Sequence, residues 1–123
     1  TMAWNLNSDR PIFIQIVERI EMDIISGKYK PGDKLPSVRD FAAEAAVNPN
    51  TMQKTFTELE RTGLVFSQRT TGRFITEDTS MIDELKSTLA KDKITELLSF
   101  MQQLGFQENE ILAMIGQTMK GEK

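Results

Sequence analysis

Between Pro49 and Thr62, the polar residues Asn50, Gln53, Lys54, Thr57 and Arg61 recur at steps of three and four, while Met52, Phe56 and Leu59 recur likewise between them. In a helix this spacing separates a hydrogen-bonding face from an apolar one. Amides, hydroxyls and a lysine presented together suit the edges of bases in a DNA groove, with Asn48, Asn50 and Thr51 at the tip and Gln53 and Lys54 as direct readers. A second cluster, Arg69, Thr71, Gly72 and Arg73, lies in a stretch from Thr62 to Thr76 that holds no acid, a composition fitted to phosphate or minor-groove contact. Ser37 and Arg39 add a hydroxyl and a guanidinium where another helical pattern begins, and free N–H groups at a helix start make a phosphate anchor. Each residue also has a plainer reading. Arg39 equally suits a solvated helix residue paired with Glu44, Ser37 a helix cap, Arg69 and Arg73 ordinary hairpin charges, and the polar helix side a wet surface.

Other chemistry is poorly supplied. The 123 residues contain no histidine and no cysteine, and no glycine-rich phosphate cradle is present. The carboxylates fall on solvated helix faces instead of pairing in an apolar surround, so no catalytic residue and no enzyme is predicted. A metal site built from surface Asp and Glu alone would be weak, and no metal or cofactor is expected.

The elements that must position these groups follow from the chain in order. Ile12, Ile16, Ile20 and Ile24, with Phe13 and Val17 beside them, predict a helix from about Pro11 to Ser26, capped by Ser8 or Asp9 and closed by Gly27. Trp4 and Leu6 read as an extended arm before it. Pro31-Gly32 makes a turn, and Lys34 and Leu35 are placed to add a short strand to a following sheet. Ser37 opens a second helix, with Asp40 three residues on and Phe41, Ala42 and Ala45 inward. Asn48, Pro49 and Asn50 end it and start a third, since a proline in the first turn forfeits no bond and Asn48 can cap. After Gly63, Leu64 to Gln68 and Arg73 to Ile75 are β-prone and flank a basic hairpin tip, with Phe66 and Phe74 assigned to the core. Helix, turn, helix and basic hairpin together make a winged helix-turn-helix, a DNA-binding arrangement.

Beyond the polar junction Glu77-Asp78-Thr79-Ser80, Ile82, Leu85 and Leu89, then Ile94, Leu97, Leu98, Met101 and Leu104, predict a long amphipathic helix whose stripe shifts near Lys91 to Lys93, with a bend expected there. Gly105 closes it, and Glu108 and Glu110 favour a last helix with Ile111, Leu112, Ile115 and Met119. Two such helices cannot bury their own stripes, so Leu85, Leu89, Ile94, Leu97, Leu98, Met101, Leu104, Ile111 and Ile115 are the expected dimerisation residues. The fold class is mainly α with a small β wing: residues 1–78 the winged domain, residues 79–123 the helical dimerisation segment.

The net charge of −3, from 15 basic and 18 acidic side chains, does not describe a uniformly cationic DNA binder. Distribution matters more: the wing is basic, while residues 80–123 carry Asp83, Glu84, Asp92, Glu96, Glu108, Glu110 and Glu122 against five lysines. Such a field orients a protein on a polyanion. With no cysteine, no apolar run near the ~20 residues that span a bilayer and no leader pattern, the chain is expected to be soluble and cytoplasmic.

The run Gly27-Lys28-Tyr29-Lys30-Pro31-Gly32-Asp33-Lys34-Leu35-Pro36-Ser37-Val38-Arg39-Asp40-Phe41-Ala42 closely resembles the first half of the DNA-binding domain of GntR-family bacterial transcription regulators. Val47-Asn48-Pro49-Asn50-Thr51, then Leu59, Gly63-Leu64-Val65, Gly72 and Phe74, resembles the second half. Since only residues 79–123 follow, too few for a large effector domain, the chain resembles the small YtrA-type branch, in which a short helical tail serves dimerisation. The resemblance implies a DNA contact at Arg39 and a homodimeric repressor on a two-fold symmetric double-stranded operator, its recognition helices ~34 Å apart. Two departures stand out: Pro49 occupies a slot where the family often has Arg, which shifts base reading to Gln53 and Lys54, and Thr70 stands where it often has Gly. A small-molecule effector acting through the tail is open. Alternative functions are a winged-helix protein-interaction module, with the Met-rich tail as its surface, and a ligand sensor using the tail helices.

Overall fold

The computed structural model describes Leu6 and residues 9–121. Helix α1 (Ile12–Ile25) buries Ile16, Ile20 and Ile24 as the four-residue series requires, and with them Gln15, whose carboxamide donates to the Arg10 carbonyl at 3.0 Å. Its start differs from the expectation. Pro11 takes the N-cap position with no side-chain cap in place of Asp9, and Ser8 and Trp4 lie outside the described residues. Proline gives up no helical bond there. A turn follows in which the Asp33 N–H donates to the Lys30 carbonyl at 2.9 Å across Pro31-Gly32, Gly32 at φ 83°.

Helices α2 (Val38–Ala45) and α3 (Pro49–Thr62) form the helix-turn-helix. The Ser37 hydroxyl caps α2 by accepting from the Asp40 N–H at 3.1 Å, and the Asn48 side-chain oxygen caps α3 by accepting from the Asn50 N–H at 2.8 Å, with Pro49 in the first turn. The stop of α2 comes from Ala46, in the left-handed region at φ 58°, instead of from Asn48 to Asn50. Folding the chain back there lets Val47 N–H reach the Ala42 carbonyl at 3.0 Å.

Met52, Thr55, Phe56 and Leu59 of α3 are fully buried between α1 and α2, with Phe41 edge-on to Phe56 at 5.8 Å. Gly63, at φ 88°, ends α3; a Cβ there would stand 3.2 Å from Met81 Cε. Strands β1 (Val65–Gln68) and β2 (Gly72–Ile75) pair antiparallel in the register Val65 with Ile75, Phe66 with Phe74, Ser67 with Arg73. Lys34 adds the anticipated third edge through a bridge to Phe74, with Leu35 N–H donating to the Arg73 carbonyl at 2.8 Å. Strand alternation decides which side chains look inward. Val65 and Ile75 are buried, while Phe66, expected in the core, is exposed and stacks on the half-buried Phe74 at 5.8 Å.

Helix α4 (Thr79–Gln103) runs unbroken through Lys91 to Lys93, where a bend was expected. Asp78 starts it, accepting from the Ser80 N–H and hydroxyl and the Met81 N–H; the Ser80 hydroxyl bond, with these N–H groups, holds the Asp78 carboxyl below the usual range. Helix α5 (Glu108–Met119) opens with a reciprocal cap, Gln107 N–H donating to Glu110 Oε1 at 2.8 Å. The chain divides into two compact units, Thr1–Glu84 and Leu85–Lys123. The first turn of α4 thus stays with the winged unit, as the Met81 contact to Gly63 requires, whereas the polar junction in the sequence lies at Glu77 to Ser80.

Candidate nucleic-acid interface

A groove of ≈ 720 Å³ opens between the start of α2, the exposed side of α3 and the wing tip, lined by residues 34–40, Gln53, Phe56 and residues 69–73. A shallower concavity of ≈ 470 Å³ runs along α3, lined by Asn50, Thr51, Gln53, Lys54 and Thr57. Gln53 borders both. The expected base-reading face, the α2 start and the basic hairpin therefore form one continuous polar surface within the first unit.

Individual side chains are not equally free. Arg39 and Arg69 are exposed and form no ion pair among the described residues, including none between Arg39 and Glu44. The Ser37 oxygen and the Asn48 oxygen are engaged as helix caps, which leaves the Ser37 hydroxyl hydrogen and the Asn48 NH₂ group as donors. Asn50 and Gln53 are exposed and Thr51 half-buried. Lys54 is drawn back, its Nζ 4.7 Å from the centre of the Phe13 ring. Thr71 shapes the tip, its N–H and hydroxyl donating to the Gln68 carbonyl at 2.9 and 3.1 Å.

Gly72 sits at φ 119°, and Lys34 lies across it, Cε 2.9 Å from where a Cβ would be. Lys34 thus joins Arg39 and Arg69 as a third cation of the groove. The sequence placed Lys34 on the edge of the wing sheet, as the bridge to Phe74 bears out, but did not count its charge among the site residues. Arg73 lines the groove but is held: its Nε donates to Glu60 Oε1 and its guanidinium lies 5.1 Å from the Phe56 ring centre. It faces α3, and alternation from buried Ile75 would have shown this.

Of the expected dimerisation residues, Met101 and Ile111 are buried within the second unit and Leu85, Leu89 and Ile115 half-buried. Ile94, Leu97, Leu98 and Leu104 are exposed, and so are Phe100, Leu112, Met114 and Met119. No helix among the described residues is long and apolar enough to cross a membrane.

Residues 14–75, half the chain, match the family described as bacterial regulatory proteins, gntR family. The chain belongs to the GntR family. This GntR regulator is 41% identical over 105 residues to the uncharacterized HTH-type transcriptional regulator YhcF of Bacillus subtilis, a match covering 85% of this chain and 87% of that one. It is 39% identical to the HTH-type transcriptional repressor YtrA of the same organism over 97 residues, 79% of this chain and 70% of YtrA. Among solved structures, a GntR family transcriptional regulator from Listeria monocytogenes superposes with a TM-score of 0.85 at 38% identity, covering 91% of this chain and 98% of that one. This GntR chain is therefore a transcription regulator with a DNA-binding winged helix-turn-helix, not an enzyme, and the matches to YhcF and YtrA, 105 and 97 residues long, are longer than the family match of residues 14–75.

Proposed function

We propose that this regulator is a cytoplasmic repressor that binds a two-fold symmetric operator as a homodimer, with Gln53 reading a base edge in the major groove and Ser37, Arg39, Lys34 and Arg69 contacting phosphates. The observation that carries the reading is the position of Gln53 on both concavities, which makes the recognition helix and wing a single surface. Repression is supported by the name of YtrA, a repressor similar over 79% of this chain. Self-association is supported by the exposed apolar side chains of α4 and α5, among them Leu104 at 59% and Leu112 at 64% exposure. An apolar face this rich in solvent marks a contact surface.

Binding of a duplex selected from a random pool, followed with sedimentation of the free protein, tests both parts. The expected result is a dimer of the 14.0 kDa chain that becomes monomeric in Leu104→Glu/Leu112→Glu and then loses affinity for a two-half-site duplex while still engaging one half-site. A monomeric wild type that binds the symmetric duplex tightly removes the dimer; a selection that recovers no common sequence removes the operator.

A further inference from the structure

We propose that Glu60 is a positioning residue of the DNA-binding surface, clasping both wing strands to the recognition helix and so setting the angle at which Arg69 meets the duplex. The inference rests on DNA as the ligand. Glu60 lies near the C-terminal end of α3, two turns beyond Gln53 on the same side of the helix, and its carboxylate joins the helix to the hairpin. Its Oε1 accepts from Arg73 Nε of β2 and from the Ser67 hydroxyl of β1 at 3.0 Å. Ser67 and Arg73 are cross-strand partners, so one carboxylate oxygen grips a matched pair, one residue from each strand.

The Arg73 side chain is closed from a second direction by the Phe56 ring, itself fully buried in α3. Arg73 and Glu60 are only 27% and 33% exposed, so the pair is shielded more than an ordinary surface contact, and a charge-assisted bond keeps direction as well as attraction. Without this clasp the hairpin is joined to the winged unit by the edge bonds from Asp33 and Leu35 and by the Val65 and Ile75 contacts at its base. Those fix where it starts. Beyond them the tip is held by its own turn bonds and by the flexible Lys34 side chain across Gly72, which leave its swing to the clasp.

The decisive experiment is a double-mutant cycle on a selected duplex, read across salt concentrations, together with amide hydrogen exchange of the free protein. Arg69→Ala alone is expected to weaken binding about tenfold and to lower the salt slope by about 0.9, the share of one phosphate. Glu60→Ala is expected to match both changes, and the double variant to lose little more than either, because a tip already mispositioned has no contact left to remove. Glu60→Gln, which keeps an acceptor without the charge, is expected to fall between wild type and Glu60→Ala, and it carries the cycle if Glu60→Ala does not fold. Exchange across Gly72 to Ile75 is expected to accelerate in Glu60→Ala without DNA. Fully multiplicative losses, an unchanged salt slope or unchanged exchange overturns the clasp. A wild type that binds no duplex while exchange responds to Glu60→Ala overturns the DNA reading and leaves the clasp standing.

Discussion

The Nζ of Lys54 sits 4.7 Å from the centre of the Phe13 ring, so the only lysine of the recognition helix leans toward α1 while its neighbour Gln53 borders the groove. The two candidates for base reading are thereby separated. Gln53→Ala is expected to remove about 1 to 3 kcal/mol of discrimination at a single base pair, whereas Lys54→Ala and Ser37→Ala weaken cognate and scrambled duplexes alike. Competition binding with both duplexes measures the difference, and equal losses for Gln53→Ala on the two would remove it as a reader.

Lys34, Arg39 and Arg69 line the groove with no ion pair among the described residues, alongside the Asp40 carboxylate and the Glu60-bound Arg73. Lys34→Ala and Arg39→Ala are each expected to reduce the slope of log affinity against log salt by about 0.9, while Lys28→Ala, a cation paired with Asp23 away from the groove, leaves the slope unchanged. Fluorescence anisotropy at several salt concentrations resolves steps of that size.

Ala46 holds a left-handed conformation that glycine adopts without strain. Ala46→Gly is expected to stabilise the winged unit by about 1 kcal/mol, the relief of a Cβ clash offset in part by a more flexible unfolded chain. Urea unfolding read by circular dichroism checks the sign.

Glu21 lies beside Phe13, Ile14 and Val17, and burial, followed by repulsion from Glu18 and Glu58, raises its carboxyl above the ordinary value of 4.5. A carboxyl raised in the folded state binds more protons than in the unfolded state, so stability falls as pH rises through the window between the ordinary and the raised value. Glu21→Gln is expected to flatten that slope and to stabilise at neutral pH by no more than about 0.5 kcal/mol, since the group is only half buried and solvent screens it. Thermal unfolding from pH 4 to 7 reports it.

Most of the scaffold was legible because it depends on local rules. The isoleucine series of α1, the Ser37 and Asn48 caps and Gly63 each act within a few residues, and the structure keeps them. The cap of α1, the stop at Ala46 and the exposure of Phe66 were not legible. Pro11 acts through a backbone property where a side chain was sought, Ala46 adopts a conformation its residue type disfavours, and the side on which Phe66 lies depends on strand register. Within the proposed site, Gln53 and Arg69 were proposed from type and spacing, and Arg39 from the family resemblance. Lys34 was placed on the wing sheet without its charge being assigned to the site, and Glu60 was missed because it acts across a contact between α3 and the hairpin.

The account turns on one surface running from the start of α2, across Gln53, to the wing tip. Amide shift mapping of the full chain titrated with its selected duplex tests this most directly. Shifts at Ser37, Arg39, Gln53, Arg69 and Gly72 that saturate together are the expected outcome; a duplex that perturbs the helices of Leu85–Lys123 or the outer face of α1 and leaves those five residues unmoved would contradict it.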